Sequence, residues 1–521
     1  MNRLFNVFAA VTALGLAGCS LLQPGPQVAV KNGDLQGVYI DGIAAFKGVP
    51  YAAPPIGELR WRAPQPSANW TGVRSARSYA PHCAQPFSAV AGFKQSPISE
   101  DCLTLNVWSP DVVSPEPLPV MVWIHGGGYS VGSGNKERVN SVPLASEGVV
   151  LVTVNYRLSV FGFLTHPSLR PVDSDEHYGN YGLQDVIASL RWVQKNIAAF
   201  GGDPERVTIF GESAGAGIVN TLLVVPEAEG LFHGAVSQSS SVGISPVPYP
   251  ARRAGFLQPT EKLSVEFGER LGANSAMTDA EVAAAMRSVP MADVIAETSD
   301  RERYTPVIDG KLVPDQVGTL MAAGKHHSVP YITGGNSWEA SLGRDVGGPF
   351  SPQAFARLMT DKQKSDLYPG LDGDALADAI FGDLVVLSAS RYMARSMRAS
   401  GAPVYTYYLS YLASDRRGVQ PGVAHEEDIA FIMQTIETES DIKRVSPSDR
   451  AVSQLMSRYW AQFARTGDPN LPDQPDWPAF DVQDYGSLEI GDEVTARTGL
   501  FSDRLDFHID RGLNLLRRAT R

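Results

Sequence analysis

The sequence is short of basic residues, lacks two common metal-binding motifs and has no long apolar run after its first twenty residues. Its 521 residues include 44 Lys and Arg against 56 Asp and Glu, a formal net charge of −12. Because phosphate binding requires concentrated Lys and Arg, this balance argues against nucleic acid as a partner. No His-Glu-x-x-His motif and no Cys-x-x-Cys motif occurs in the sequence, so we expect neither a metal nor an organic cofactor.

The N-terminal segment MNRLFNVFAAVTALGLAGCS is typical of an export signal, since one basic residue precedes an apolar stretch of about 14 residues. Its segment Leu16-Ala17-Gly18-Cys19 resembles the lipobox of bacterial lipoproteins. We therefore expect residues 1–18 to be a signal peptide and Cys19 to receive lipid, with residues 19–26 as a tether. That anchor would be the only contact with a membrane. A plain signal peptide cut after Ala17 is the alternative.

The residue after Cys19 indicates in which membrane such a lipoprotein would be anchored. Ser20 is not the aspartate that retains such lipoproteins at the inner membrane. The resemblance therefore favours the outer membrane of the bacterial cell envelope, facing the periplasm or the cell surface.

With Cys19 used by the anchor, Cys83 and Cys102 remain as an even pair in an exported chain. They form either a disulfide bond or two free, buried thiols.

Apolar strands and helical segments alternate from about residue 117 onwards. A helix at about 182–200 carries apolar residues at helical spacing, and the stretch from about 250 to 400 is mostly helical. Continuous apolar strands separated by helices predict a largely parallel sheet covered on both faces, which is an α/β fold. Because no linker interrupts the pattern, we expect a single domain over residues 27–511. The strand candidates are 117–125, 148–156, 206–215, 329–336 and 403–412.

Two serines lie in a Gly-x-Ser-x-Gly pattern, and their surroundings distinguish them. Ser213, in TIFGESAGAG, follows a strand and precedes small and apolar residues that are fit to begin a helix. Such a strand-to-helix elbow strains the serine backbone, and its flanking glycines avoid a clash. Ser130 follows three glycines and precedes a polar loop without a helix. We therefore predict that Ser213 is a nucleophile and that Ser130 is a loop hydroxyl beside the site.

The glycines of HGGGY, residues 125–129, are predicted to bind an oxyanion. They directly follow a strand, so the loop lies at the carboxyl end of that strand, where the sites of α/β proteins form. Glycines allow backbone N–H groups to approach a substrate oxygen closely. A phosphate-binding loop is not indicated, since no Gly-Lys-Ser/Thr follows. The helix predicted after Ser213 adds its N-terminal dipole and the N–H group of Ala214.

Four segments together resemble the type B carboxylesterases, the α/β-hydrolase family that includes the cholinesterases. They are HGGGY, GNYGLQDV (179–186), NIAAFGGDPERVTIFGESAGA (196–216) and SEDCLTLNVWSP (99–110). The similarity begins near GIAAFKGVPYAAPP (42–55) and continues past WAQFARTGDPNLPDQPDWPAF (460–480). The resemblance implies a large, mostly parallel sheet with helical insertions. It also implies hydrolysis of small-molecule carboxylic esters through an acyl-serine intermediate.

The resemblance further implies a catalytic triad. Ser213 would be the nucleophile, Glu339 in GGNSWEAS (334–341) the acid, and His425 in GVAHEEDIAF (422–431) the base. The chain order of these residues supports the assignment independently, because in this fold the triad runs serine, acid, histidine. The N–H groups for the oxyanion would come from Gly127, Gly128 and Ala214.

Two further residues and one cysteine pair match supporting positions of the family. Glu212, directly before the nucleophile, matches an acid beside the triad in many members, and Ser239 in SQSS matches a hydroxyl. Cys83 and Cys102 match the family's first disulfide. The sequence departs from the usual pattern where it has Tyr129 instead of phenylalanine, alanine instead of glycine after the acid, and SQSS instead of SQSG. No departure removes a catalytic group.

Alternatives exist for the acid and the base. His425 follows the last strong strand across a loop, whereas His508 lies in what we expect to be a polar tail. A loop histidine paired locally with Glu426 or Glu427 is the alternative for His425. For Glu339 the alternative is an ordinary surface acid, and the nearest competitor is Asp309, which does not close a strand.

The function classes left open share the same fold. A lipase acting at an oil–water interface, an enzyme cleaving amides or transferring acyl groups with the same triad, and a non-catalytic binding protein are the rivals. The presence of all three triad residues argues against the binding protein. The sequence predicts neither a particular ester nor an oligomeric state.

Overall fold

The computed structural model of the protein describes residues 25–86, 97–139, 142–171, 177–298, 302–438 and 442–519. Within these ranges the strands form one eleven-stranded sheet, a three-stranded sheet and a two-stranded ladder. The predicted signal peptide and Cys19 lie outside the described residues. No helix within the described ranges is both long and apolar enough to cross a bilayer.

The strands and helices of the described residues are numbered here in chain order. The strands are β1 Gln27–Val30, β2 Gly33–Gln36, β3 Val38–Ile40, β4 Ile43–Pro50, β5 Val73–Ser75, β6 His82–Cys83, β7 Ile98–Ser99, β8 Thr104–Ser109, β9 Leu118–Ile124, β10 Val150–Val154, β11 Gly202–Glu212, β12 Gly234–Gln238, β13 Tyr331–Asn336, β14 Val404–Leu409, β15 Ser487–Ile490 and β16 Val494–Arg497. The helices are α1 Val142–Ser146, α2 Ser159–Phe163, α3 Tyr181–Asn196, α4 Ala214–Leu222, α5 Thr260–Arg270, α6 Asp279–Ser288, α7 Met291–Ala296, α8 Val317–Ala322, α9 Ala340–Val346, α10 Pro352–Ala356, α11 Asp361–Leu367, α12 Gly373–Gly382, α13 Ser388–Ala399, α14 Glu427–Ile432, α15 Pro447–Thr466 and α16 Ser502–Ala519.

The large sheet has the strand order β16-β15-β14-β13-β12-β11-β9-β10-β8-β4-β3. Neighbouring strands from β15 to β10 are parallel. Antiparallel pairs occur at both edges, between β15 and β16 and among β10, β8, β4 and β3. Because parallel strands end at the same edge of a sheet, the segments that follow β9, β11, β12 and β13 begin close together.

The parallel strands are buried on both faces, as their continuous apolar runs predict. Along β9, Val120, Val122 and Ile124 belong to the apolar core on one face, whereas Met121 and Trp123 belong to the core on the other. The five strand candidates from the sequence correspond to β9, β10, β11, β13 and β14. The predicted helix at 182–200 is α3 extended by a 3₁₀ turn, and the stretch from 250 to 400 is mainly helical. The predicted α/β-hydrolase fold is confirmed.

The prediction of a polar tail around His508 is wrong. His508 lies in α16, is 1% exposed, and its Nε2 is 2.8 Å from the hydroxyl of Tyr368. Leu505, Ile509 and Leu516 are buried on the same helix. Their spacing of four and seven residues marks one face of a helix, and the charged residues between them made the segment look polar.

The cysteine pair left open by the residues is a disulfide. Cys83 and Cys102 are bonded, with their Cα atoms 5.0 Å apart, which confirms the pairing implied by the family. Beside it, Arg60 and Glu100 form an ion pair 2.5 Å long whose side chains are 6% and 9% exposed. The disulfide and the buried charge pair therefore both connect the segment around residues 100–102 to earlier parts of the chain.

We predict that replacing both bonded cysteines by serine lowers the free energy of unfolding by about 3 kcal/mol, because the open chain gains entropy in the unfolded state. Urea unfolding of the oxidised protein and of the double variant Cys83→Ser/Cys102→Ser measures the difference. Dithiothreitol should destabilise the wild-type protein to the same degree and leave the variant unchanged. Equal stability of the oxidised protein and the variant would contradict the prediction.

Candidate active site

Ser213 lies in a strained turn between β11 and α4. Its backbone angles are φ 54° and ψ −121°, which residues with a side chain rarely adopt. Its N–H donates to the carbonyl oxygen of Gln238 at 2.9 Å, which joins the turn to the end of β12. A Cβ on Gly215 would lie 2.0 Å from the carbonyl oxygen of Ile124, so the position requires glycine. The elbow predicted from the sequence is thus formed, with Ser213 at its apex.

The glycine loop after β9 lies against this turn. Gly127 and Gly128 have φ values of 104° and 61°, which favour glycine. A Cβ on Gly126 would lie 3.2 Å from Cβ of Ser213, so the loop and the serine are direct neighbours. Among the described residues, no acceptor receives the N–H of Gly127 or Gly128. The N–H of Ala214, in the first turn of α4, also has no intrahelical partner.

Glu339 and His425 form a short hydrogen bond in the interior. His425 Nδ1 lies 2.6 Å from Oε2 of Glu339. Glu339 follows β13 and is 1% exposed, and the His425 side chain, just before α14, is 5% exposed. A carboxylate that holds the proton on Nδ1 leaves the other ring nitrogen, Nε2, as the proton acceptor.

Three further hydrogen bonds orient this pair. Oε1 of Glu339 accepts a hydrogen bond from the Ser239 hydroxyl at 2.6 Å and another from the N–H of Asn336 at 2.6 Å. The N–H of His425 donates to the Ser341 hydroxyl at 2.8 Å. The carboxylate of Glu339 therefore receives donors on both oxygens, as a buried charge requires.

Glu212 is a second carboxylate close to the imidazole. Its Oε1 lies 3.1 Å from Nε2 of His425, and its side chain is fully buried. Neither carboxylate oxygen has a hydrogen-bond partner among the described residues. Burial raises the pKa of Glu212 well above its usual value. Burial would lower the pKa of His425, but Glu212, Glu339 and Glu426 together outweigh it and raise the pKa of His425 to about 10.

The histidine of the glycine loop remains neutral. Burial lowers the pKa of His125 to about 3. Its ring stacks on Tyr156 with centroids 4.3 Å apart, and its Nδ1 lies 2.9 Å from the carbonyl oxygen of Gly126. In the part of the chain that the structure describes, no group of three or more His, Cys, Asp or Glu side chains could hold a metal ion.

The residues considered as alternatives at this site interact with other groups. Glu426 forms an ion pair with Arg138 at 2.5 Å, and Glu427 accepts the N–H of Ala424 at 2.9 Å. His425 is paired with neither of them locally, although Glu426 raises its pKa from a distance. The Ser130 hydroxyl donates to the carbonyl oxygen of Gly128 at 3.3 Å, within its own loop.

Asp309, the competing acid, is engaged in a turn. It accepts the N–H groups of Lys311 and Val313 at 3.1 and 2.9 Å. It therefore stabilises a loop and does not contact His425. Glu339 is the acid that the structure brings to the histidine.

Two polar residues around His425 were not predicted from the sequence. The Ser341 hydroxyl accepts the backbone N–H of the histidine, and Asp428, the second residue of α14, is buried at the ends of the central strands. The position of Asp428, three residues after the candidate base, is a signal that the sequence contains. However, Asp428 ends a run of three acidic residues, and such a run is typical of a solvent-exposed segment. No local pattern distinguishes Ser341 from an ordinary loop serine.

Comparisons of the whole sequence with known proteins give consistent matches. The sequence model of the "Carboxylesterase family" matches residues 24–372 and 356–508. The chain is similar to "Liver carboxylesterase 1" of Oryctolagus cuniculus, with 34% identity over 532 residues, 89% of this chain and 88% of the relative. It is similar to "Fumonisin B1 esterase" of Sphingopyxis macrogoltabida, with 32% identity over 486 residues, 90% of this chain and 87% of the relative. It is also similar to "Cocaine esterase" of Homo sapiens, with 31% identity over 507 residues, 89% of this chain and 87% of the relative.

We predict that Ser239→Ala lowers the free energy of unfolding by about 1–3 kcal/mol, because the buried carboxylate of Glu339 loses one of its donors. Ser457→Ala is a matched control: Ser457 is equally buried, and its hydroxyl has no hydrogen-bond partner among the described residues. The control should stay within about 0.5 kcal/mol of the wild-type protein. Urea unfolding measures both, and equal losses would contradict the predicted support of Glu339.

Proposed function

Because the chain belongs to the carboxylesterase family and is a carboxylic-ester hydrolase of the serine type, we propose that it works through Ser213, His425 and Glu339. The observation that carries this proposal is the 2.6 Å hydrogen bond from His425 Nδ1 to Glu339. It leaves Nε2 to face Glu212, the residue directly before Ser213, at 3.1 Å. The imidazole therefore lies beside the residue that precedes Ser213 in the chain, and its Nε2 makes no hydrogen bond to any described residue, the Ser213 hydroxyl included.

In the first half of the reaction, His425 takes the proton of the Ser213 hydroxyl as its oxygen attacks the carbonyl carbon of the ester. Glu339 keeps the imidazole in the required tautomer and stabilises the imidazolium that forms. His425 then gives the proton to the departing alkoxide, and the acyl group remains on Ser213. The strained backbone of Ser213 presents its oxygen at the carboxyl edge of the sheet.

The negative oxygen of the tetrahedral intermediate is stabilised by the N–H groups of Gly127, Gly128 and Ala214. Support for this role comes from the N–H groups of Gly127 and Gly128, which have no acceptor among the described residues, and from the adjacent Gly126, which lies against the serine turn. The N-terminal dipole of α4 adds a favourable field at the same point. A water molecule, deprotonated by His425, then releases the acid by the reverse sequence.

Glu212 controls whether His425 is available as a base. While Glu212 is ionised, its charge favours the imidazolium, which cannot accept the serine proton. Burial favours the protonated form of Glu212, and a neutral Glu212 no longer raises the pKa of His425. The negative charge of Glu212 therefore raises the pH above which His425 is neutral and available as a base.

The substrate is a small-molecule carboxylic ester. Two relatives are named for different substrates, "Cocaine esterase" and "Fumonisin B1 esterase", so membership of the family does not by itself identify the ester that this chain cleaves. We propose a lipid anchor on Cys19 and a location in the bacterial cell envelope on the basis of the lipobox-like segment alone. Mass spectrometry of the mature N-terminus tests that part.

We predict that Ser213→Ala lowers kcat/KM on p-nitrophenyl acetate by about 10⁴-fold or more, because the acyl-enzyme can no longer form. The fold should persist, since alanine retains the backbone and leaves no buried polar atom unpaired. Ser130→Ala is the matched control, because Ser130 lies in the other Gly-x-Ser-x-Gly segment. Undiminished hydrolysis by Ser213→Ala, or loss of hydrolysis by Ser130→Ala alone, would overturn the assignment of the nucleophile.

A second prediction concerns the pH dependence of Glu212→Gln. Glutamine removes a negative charge near His425 and so lowers the pKa of the imidazole, which remains exposed to the charges of Glu339, Glu426 and Asp428. The acid limb of kcat/KM against pH should move to lower pH by about one unit or more. An acid limb that stays in place or moves to higher pH would show that Glu212 does not control the base.

A further inference from the structure

We propose that Asp428 is a positioning residue that holds the three triad-bearing segments in register, an inference that rests on the proposed function. Asp428 lies on α14, three residues after His425, and its side chain is fully buried. It does not reach the reacting atoms. Its role would be exerted through the neutral polar groups that surround its carboxylate.

The first connection leads to the nucleophile. Oδ2 of Asp428 accepts a hydrogen bond from Nε2 of Gln238 at 2.8 Å. Gln238 is the last residue of β12, and its carbonyl oxygen accepts the N–H of Ser213 at 2.9 Å. The Gln238 amide oxygen is held in turn by Nε1 of Trp460 at 3.3 Å. The carboxylate is therefore two hydrogen bonds away from the strained turn.

The second connection leads to the acid. Nδ2 of Asn336 lies 3.4 Å from Oδ1 of Asp428 and donates to the carbonyl oxygen of Ala424 at 2.8 Å. Asn336 ends β13, and its backbone N–H donates to Oε1 of Glu339 at 2.6 Å. Asn336 therefore binds Glu339 through its backbone N–H. Its side-chain amide contacts both Asp428 and the segment that carries His425.

A third partner fixes the carboxylate from β14. The hydroxyl of Tyr407 donates to Oδ2 of Asp428 at 3.2 Å. The Tyr407 ring can lie there because its neighbour Gly334 has no side chain; a Cβ at Gly334 would be 2.4 Å from ring atom Cδ1. Three strands, β12, β13 and β14, thus converge on one buried carboxylate.

Packing alone does not explain why a carboxylate is buried at position 428. Among the described residues its hydrogen-bond donors are neutral, and no cation pairs with it. Burial raises the pKa of Asp428, while the Gln238 hydrogen bond lowers it. A carboxylate buried without a paired cation costs stability. The contacts of the Asp428 carboxylate connect the segments that carry the nucleophile, the acid and the base. Holding these segments in position is a physical reason to retain the carboxylate, because a displacement of about 1 Å slows catalysis strongly.

The test compares Asp428→Asn with Asp449→Asn. Asp449 is a matched control because it is also fully buried and accepts hydrogen bonds from Tyr411, Ser414 and Ser446 at 2.7 to 2.9 Å, but it lies on α15 away from the triad. We expect Asp428→Asn to lower the single-turnover acylation rate with p-nitrophenyl acetate by about 30- to 100-fold. Asp449→Asn should stay within about 3-fold, although both variants lose thermal stability.

The substitution Asp428→Asn keeps the shape of the side chain but sets an amide donor against that of Asn336. If this variant does not fold, Tyr407→Phe, which removes only one hydroxyl, should slow acylation by about 3- to 10-fold. Acylation rates equal to that of Asp449→Asn would overturn the proposal for Asp428. Activity remaining in Ser213→Ala would instead overturn the proposed function, so the two failures are distinguishable.

Discussion

The buried charge of Glu339 is the constraint on which the rest of the site depends. A carboxylate at 1% exposure is tolerated only if donors surround it. Those donors come from Ser239, from the backbone of Asn336 and from His425, each at 2.6 Å. The ends of two parallel strands and the loop of the base must therefore meet at one point. The parallel order of the central sheet makes that meeting possible, because its strands end at a common edge.

Close backbone approach is the second requirement of the site. The turn of Ser213 and the glycine loop can be neighbours only because Gly126 and Gly215 have no side chain, and a Cβ at either position would collide with backbone atoms. The strain of Ser213, at φ 54°, is held by its hydrogen bond to Gln238 and by α4, which begins directly after it. The same proximity places Glu212 at His425, where burial and charge together determine which of the two holds a proton.

The parts of the molecule that could be predicted from sequence are those with a local signal. Continuous apolar runs indicated the parallel strands, and the glycines around Ser213 indicated the elbow. Glu339 and His425 required the family resemblance, since neither has a local pattern that separates it from a surface acid or a loop histidine. The contacts of Asp428 could not be predicted, because its partners Gln238 and Tyr407 lie far apart in sequence and meet only when the sheet is assembled. The helix around His508 was missed because its charged residues obscured a narrow apolar face.

The central claim is that Ser213 is the nucleophile, and covalent labelling tests it most directly. A fluorophosphonate ester phosphonylates an activated serine, and mass spectrometry of the peptides then identifies the modified residue. We expect a single adduct on Ser213, in the peptide that contains FGESAGAG, and no adduct on protein denatured before exposure. An adduct on Ser130 or on any other serine, or no adduct on folded protein that hydrolyses p-nitrophenyl acetate, would contradict the claim.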